Sequence, residues 1–382
     1  MKQIVCLATS PWFPIPTRKQ QVMSRIPDAE VLYFDPSVSY LAPLKDPKAK
    51  EKISAYRKEG QKITDHLTVY ALPPVLPFFN RFRWINRLNQ KRMARYIRKR
   101  MKQHGFSNPV LWVYSPVTAD CVDHVPHSAL VYDCVDRHSA YGGLMNPELV
   151  DTMELDLAAK STQVFATAVG LAERLKTANP NTVFIPNGAN FERFVQASQP
   201  QDCPEDLKGV SGPIFGFVGA LQACIEYGFL EYAAESRPDW NFVFIGRENA
   251  GVELSRLHAM PNCKFLGLKP NEQLPAYLAQ FDACLNLFAS GDLSKDVSPL
   301  KFYEYLATGK PVVSTPQPDQ VLQYADIIQI AHSKEDFVAC CQAVLDGKDA
   351  ATTSARIEEG RKSSWDARVE QMCGILSDRG VF

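Results

Sequence analysis

The chain has 382 residues, enough for two domains with separate cores. Its 42 basic and 42 acidic residues cancel, which excludes the strongly basic balance of a general nucleic-acid binder. No apolar run approaches the roughly 18 residues that span a bilayer. The ten cysteines form no Cys-x-x-Cys pair, and most, such as Cys6, Cys134, Cys224 and Cys284, lie inside apolar runs. They read as buried thiols of a reducing cytoplasm rather than as a disulfide framework.

Ile4 to Ala8 reads as a first buried strand, not a signal peptide, followed by the loop TSPWFPIPTRKQQ and a helix from about Arg18. Val31 to Phe34 reads as the second strand, and Lys45 to Lys62 as an exposed, charged, helical stretch. From His66 to Ala119 there is no acidic residue, while ten cations crowd residues 81–102. Within that tract Ile85, Leu88, Met93, Tyr96, Ile97 and Met101 recur at helical spacing and predict a core-facing stripe. The preceding LPPVLPFFNRFRW is apolar and aromatic, with prolines that keep it irregular. A basic amphipathic helix beside exposed aromatics suits an anionic membrane surface; the bland alternative is a solvated basic face.

Val110 to Tyr114 and Leu130 to Tyr132 are further strands, the second running into the polar cluster DCVDRHSAY, and Cys121, Asp123, His124 and His127 lack a zinc-ligand spacing. Helix, strand, helix and strand follow from Glu154 to Pro186, ending at Asn187-Gly188, a turn signal. Pro213 to Val218 restarts the pattern, with Gly216 and Gly219 forming a weak dinucleotide-type glycine pair. A helix from Asn271 to Gln280, capped by Asn271, is expected before the most informative stretch, DACLNLFASGDLSKDVSPLKFYEYLATGKPVVST. There a buried strand gives way to a polar loop, Pro299 opens an amphipathic helix, Gly309 stops it, and a second buried strand begins. That is strand–loop–helix–strand, a piece of a parallel α/β sheet, where ligands bind at the carboxyl ends of strands and anions at the next helix N-terminus. Lys301 stands in the first helical turn, where a cation is unfavourable unless an anion is near. Asp296 and Glu304, with seven residues between them, suit the hydroxyls of a sugar nucleotide whose diphosphate meets Lys301; the alternative is an ordinary solvated helix start.

SPLKFYEYLATGKPVVST resembles the donor-site segment of GT-B glycosyltransferases that use sugar nucleotides, near the retaining family 4, although Asp296 and Pro299 replace a usual Glu and Gly. GPIFGFVGAL, PDWNFVFIGRE, IPNGANFERF and, loosely, Asp133 to Tyr141 are similar to further segments of that family. The resemblance implies an α/β fold of the GT-B type: two Rossmann-like, doubly wound parallel-sheet domains facing a cleft. Residues 1–195 would form the acceptor-side domain, 196–362 the donor-binding domain, and a C-terminal helix, 363–382, would return to the first, anchored by Trp365. It implies donor contacts at Gly219, Arg247, Leu268, Ser298, Leu300, Lys301 and Glu304. Acceptor contacts would come from Trp12, Arg18 and Arg137, and catalytic ones from Asp136, His138 and Asp296. Gln222-Ala223-Cys224 departs from the phosphate-binding cations of many members.

The implied reaction is transfer of a sugar from a nucleoside diphosphate sugar to a saccharide or lipid-linked acceptor, with retention and with no metal or other cofactor. Such enzymes assemble cell-surface polysaccharide or glycolipid, cytoplasmic or peripheral on the inner membrane face, and no nucleic-acid partner is expected. The rival readings are a degenerate sugar-nucleotide-binding subunit and a GT-B epimerase.

Overall fold

The computed structural model describes residues 1–44, 46–47, 49–140, 146–291 and 294–382; Lys45, Tyr141 and part of the 290–298 loop therefore lie outside the described residues. The chain divides into two compact units, one of Met1–Pro186 with Val369–Phe382 and one of Asn187–Arg368. Near residue 195 the chain is already inside the second unit, where Phe191, Phe194 and Ala197 are buried in its core.

The first unit is built on eight strands: β1 (Lys2–Leu7), β2 (Ala29–Asp35), β3 (Gln61–Thr64), β4 (Leu67–Ala71), β5 (Val110–Val113), β6 (Ala129–Cys134), β7 (Gln163–Ala166) and β8 (Thr182–Phe184). Their order is β3-β4-β2-β1-β5-β6-β7-β8, parallel throughout except for the β3–β4 pair. Because side chains alternate across a strand, Val5 and Leu7 join one core with Leu111, Val113 and Tyr132. Ile4 and Cys6 join another with Trp112, Phe165 and, from the C-terminal helix, Val369, Met372 and Leu376. Fully burying each such side chain is worth about 1.5–3 kcal/mol. The β3–β4 hairpin is a correction to the expected charged helix, which covers only Ala49–Ala55.

The second unit carries β9 (Ile214–Val218), β10 (Asn241–Ile245), β11 (Cys263–Phe265), β12 (Ala283–Asn286), β13 (Val312–Ser314) and β14 (Gln329–Ile330). Its order is β11-β10-β9-β12-β13-β14, and every pair is parallel. Strand order reverses at β9, so the loops after β9 and β12 flank the switch point where open α/β sheets bind ligands. Gly216 serves the core rather than a phosphate: a Cβ there would lie 1.9 Å from the Phe281 ring.

Three local expectations change. The Asn271 helix begins later, at Leu274, with Pro275 in its first turn and Asn271 outside it. The Leu300–Thr308 helix is buried on nearly every side rather than amphipathic, from Phe302 through Thr308. Cys224 is exposed rather than buried.

Candidate functional site

In the second unit the loops after β9, β10 and β12 are laced together at the carboxyl edge of the sheet. The Leu221 N–H donates to the Arg247 carbonyl (2.9 Å) and the Asn249 N–H to Leu221. Across the switch point, Ala289 N–H donates to the Cys224 carbonyl at 2.8 Å, and Ile225 pairs with Phe288. Gly219 and Gly246 come closest: a Cβ on Gly246 would stand 1.8 Å from the Gly219 carbonyl oxygen. The Gly246 N–H in turn donates to the Gly267 carbonyl at 2.9 Å, which brings Leu268, 68% exposed, beside the same edge. Gly246 was not singled out from the sequence, although a glycine closing a buried strand is the visible signal for it.

The Leu300–Thr308 helix follows β12 and is fastened to the end of β9. The Tyr305 hydroxyl accepts from the Val218 N–H at 2.8 Å and donates to the Val218 carbonyl at 3.2 Å. Asn187 steadies the chain ahead of the helix: its N–H donates to Ser298 Oγ and its side-chain amide to the Ser298 carbonyl, both 3.1 Å. On the first turn the Lys301 ammonium donates to Glu304 at 2.6 Å and lies 5.8 Å from the Phe194 ring centre. Glu304 is 9% exposed. No acidic residue stands in this first turn, so the helix start is an electropositive end. Asp296 is buried in the short turn Ser294–Asp296 just before it, and Arg247 is exposed after β10.

The first unit holds a cavity of about 390 Å³ at the carboxyl ends of β1, β2 and β5. Asp136 and His138 both line it, and Lys19, which sequence reasoning passed over, lines it with them. His138 is buried, and desolvation holds its imidazole below the ordinary value of 6.5, partly opposed by Glu154 and Asp136. Burial likewise lowers the Lys19 ammonium, with Asp136 and Asp133 pulling it back up.

The remaining acceptor-side residues stand elsewhere in the unit. Arg18 is 4% exposed; its Nε faces both oxygens of the fully buried Asp133 at 3.0 Å, and Nη1 donates to the Pro186 carbonyl at 3.0 Å. Its guanidinium is thereby committed to a buried ion pair, with only Nη2 left without a partner. Trp12 packs edge-on against Tyr33 at 4.9 Å and borders a smaller pocket with Phe13 and Pro14. Arg137 is half-buried beside Asp136.

Comparison with known proteins bears on the second unit and on the fold. Residues 212–346 match the model of the family described as glycosyl transferases group 1. The chain has the GT-B fold. It is similar to sucrose-phosphate synthase from Thermosynechococcus elongatus, at 12% identity and a TM-score of 0.69 over 99% of both chains. It is also similar to Alr3699/HepE of Anabaena in complex with UDP and glucose, at 15% identity and a TM-score of 0.67 over 99% of this chain and 100% of that one. TuaH of Bacillus subtilis (strain 168), which carries the name of a teichuronic acid biosynthesis glycosyltransferase, is 26% identical over 64% of this chain. The match spans 65% of TuaH's own length. Among the described residues no helix of this GT-B chain is long and apolar enough to cross a membrane.

Proposed function

We propose that the chain transfers a sugar from a nucleoside diphosphate sugar to a saccharide or lipid-linked acceptor, with retention, in the assembly of a cell-surface polysaccharide or glycolipid. The second unit takes the donor and the first the acceptor. The observation that carries this reading is the Lys301–Glu304 pair at the start of a helix that Tyr305 fastens to the end of β9. A diphosphate at that helix end meets free N–H groups and, once Lys301 turns from Glu304, an ammonium. Glu304 then accepts from hydroxyls of the ribose or sugar, and Asp296, in the turn just ahead of the helix, is assigned to the transferred sugar. Leaving-group charge is met by Lys301, Arg247 and backbone amides as an oxocarbenium-like sugar forms. No metal or other cofactor has a part in this scheme. The names of TuaH and of the UDP-bound HepE structure support a nucleotide-sugar reaction in polysaccharide synthesis.

The test is thermal shift against UDP-, GDP-, ADP- and dTDP-sugars without added metal, repeated with Glu304→Gln. A ligand at a hundredfold excess over its dissociation constant stabilises by about 2.7 kcal/mol, well within reach of the method. One nucleotide giving a shift that Glu304→Gln loses is the expected result. Silence across the panel from folded protein transfers the weight to a non-catalytic subunit, the reading that Gln222-Ala223-Cys224 favours.

The same proposal puts the first unit against an anionic membrane surface, at the cytoplasmic face. The helix Arg83–Gln103 turns polar side chains inward: Asn86, Asn89 and Gln90 are buried, while Trp84 is 63% and Leu88 52% exposed. Leu88 thus leaves the predicted core stripe. Asn86 donates to the Val117 carbonyl and Asp120, and the Asn89 amide bonds both the N–H and the carbonyl of Leu76. Leu76, Phe78 and Phe82 are also exposed among Arg81, Arg87, Lys91 and Arg95, a pairing of apolar anchors and cations that suits anionic lipid. Flotation with vesicles that increases with phosphatidylserine content and falls in Trp84→Ala/Leu88→Ala is expected; flotation indifferent to both sinks the idea.

A further inference from the structure

Lys19 is a buried side chain whose ammonium lies at the wall of a cavity. It is 7% exposed and lines the cavity of the first unit. Among the described residues its ammonium makes no hydrogen bond and no ion pair, having only the Tyr114 ring, 5.6 Å away. Its sequence neighbour Arg18 shows what this unit does when a buried cation is structural: it supplies Asp133 and a carbonyl at 3.0 Å. A largely buried ammonium that faces a cavity and holds no hydrogen bond is placed to complete its shell with a ligand anion. Arg18 and Asp133 neutralise each other, His138 is held towards its neutral form by burial, and Asp136 on the same wall is the carboxylate that acts most on Lys19. Thr9 and Ser115 add hydroxyls at the ends of β1 and β5. At about 390 Å³ the cavity is within the range of small-ligand sites, roughly 300–1,000 Å³.

We infer that this cavity takes an acceptor bearing an anionic group, a sugar carboxylate or a sugar phosphate, and that Lys19 is the residue that reads it. The word acceptor rests on the transfer reading above; the anion site rests on Lys19 and its cavity alone. The lysine donates charge-assisted hydrogen bonds to the anionic oxygens, and the ring hydroxyls of the ligand are left to Asp136, Thr9 and Ser115. A neutral hexose satisfies the hydroxyl groups but leaves Lys19 as it stands now.

The experiment is ligand-observed NMR titration of the full chain with glucuronate, glucose 6-phosphate and glucose, in wild type, Lys19→Met and Lys19→Arg. At least one anionic sugar is expected to bind roughly tenfold tighter than glucose, a single charged contact's worth. Lys19→Met should abolish that preference and Lys19→Arg retain part of it. Glucuronate alone would identify a carboxylate acceptor, glucose 6-phosphate alone a phosphorylated one. Equal binding of glucose and the anionic sugars, no binding of either anionic sugar, or a preference that survives Lys19→Met would each overturn the inference. Nucleotide-sugar binding is read separately: if it fails while the Lys19-dependent preference holds, the transfer reading falls and the anion site stands.

Discussion

Replacing Tyr305 by Phe removes one oxygen and nothing else, yet that oxygen is what ties the donor-side helix to the sheet. The ring stays in place, 1% exposed, so no cavity of consequence opens. What is lost is the pair of bonds to the Val218 main chain, at 2.8 and 3.2 Å. The buried Val218 N–H is then left without an acceptor, which costs about 1–3 kcal/mol; the carbonyl, with a second lone pair, suffers less. The expected destabilisation is about 2 kcal/mol. It should appear in equilibrium urea unfolding as a lower midpoint with an unchanged slope, in the transition assigned to the second unit when the two units are fitted separately. Because Val218 precedes Gly219, nucleotide-sugar affinity should fall with it. A loss below about 0.5 kcal/mol would mean that Val218 finds another partner, and the argument that Tyr305 fastens the helix to β9 would fail.

Asp133→Ala should cost about 3–5 kcal/mol, since Arg18 is left as an uncompensated buried charge, and Arg18→Met/Asp133→Leu should recover most of it; a double variant no more stable than the single one, in the same urea assay, contradicts this. Gly246→Ala drives a Cβ onto the Gly219 carbonyl and should cost about 3 kcal/mol, measured by calorimetry, with donor affinity falling in parallel. His138 gives the pH dependence. Burial lowers its folded-state value below 6.5, so the unfolded chain binds the extra proton first, and the contribution is fully present above pH 6.5 and lost as pH falls towards the folded value. His138→Gln should flatten the wild-type decline in melting temperature between pH 7 and 5; an unchanged slope would refute the assignment.

The parallel sheets were legible because their strands are short apolar runs bounded by glycine, proline and polar loops, a pattern that burial on both faces requires. The β3–β4 hairpin was not, since Leu67–Ala71 offers five residues inside a tract dominated by its cations. Nor was the facing of the Arg83–Gln103 helix. Apolar periodicity assigned Leu88 to the core, yet the structure buries Asn86, Asn89 and Gln90 there, because loop 74–80 and Val117 present main-chain groups that need hydrogen bonds. Periodicity counts apolar side chains, and a buried face that satisfies a neighbour's backbone is polar by necessity.

The candidate site divides along the same line. Glu304, Lys301, Gly219 and Ser298 could be placed at strand ends and a helix start because the chain's own punctuation marks those elements. Arg18 and Lys19 were not separable: both are cations at the start of one short helix, and sequence reasoning chose Arg18 for the ligand. A helix turns about 100° per residue, so adjacent residues face different surroundings, and here one meets Asp133 in the core while the other meets an open cavity. Nothing local distinguishes them, because Asp133 lies 115 positions away. The distinguishing feature is whether the fold has already supplied the counter-charge. Where the counter-charge is held by hydrogen bonds, as at Arg18, substitution in pairs should be tolerated; where it acts only at a distance, as Asp136 does on Lys19, a ligand anion has room to bond the ammonium.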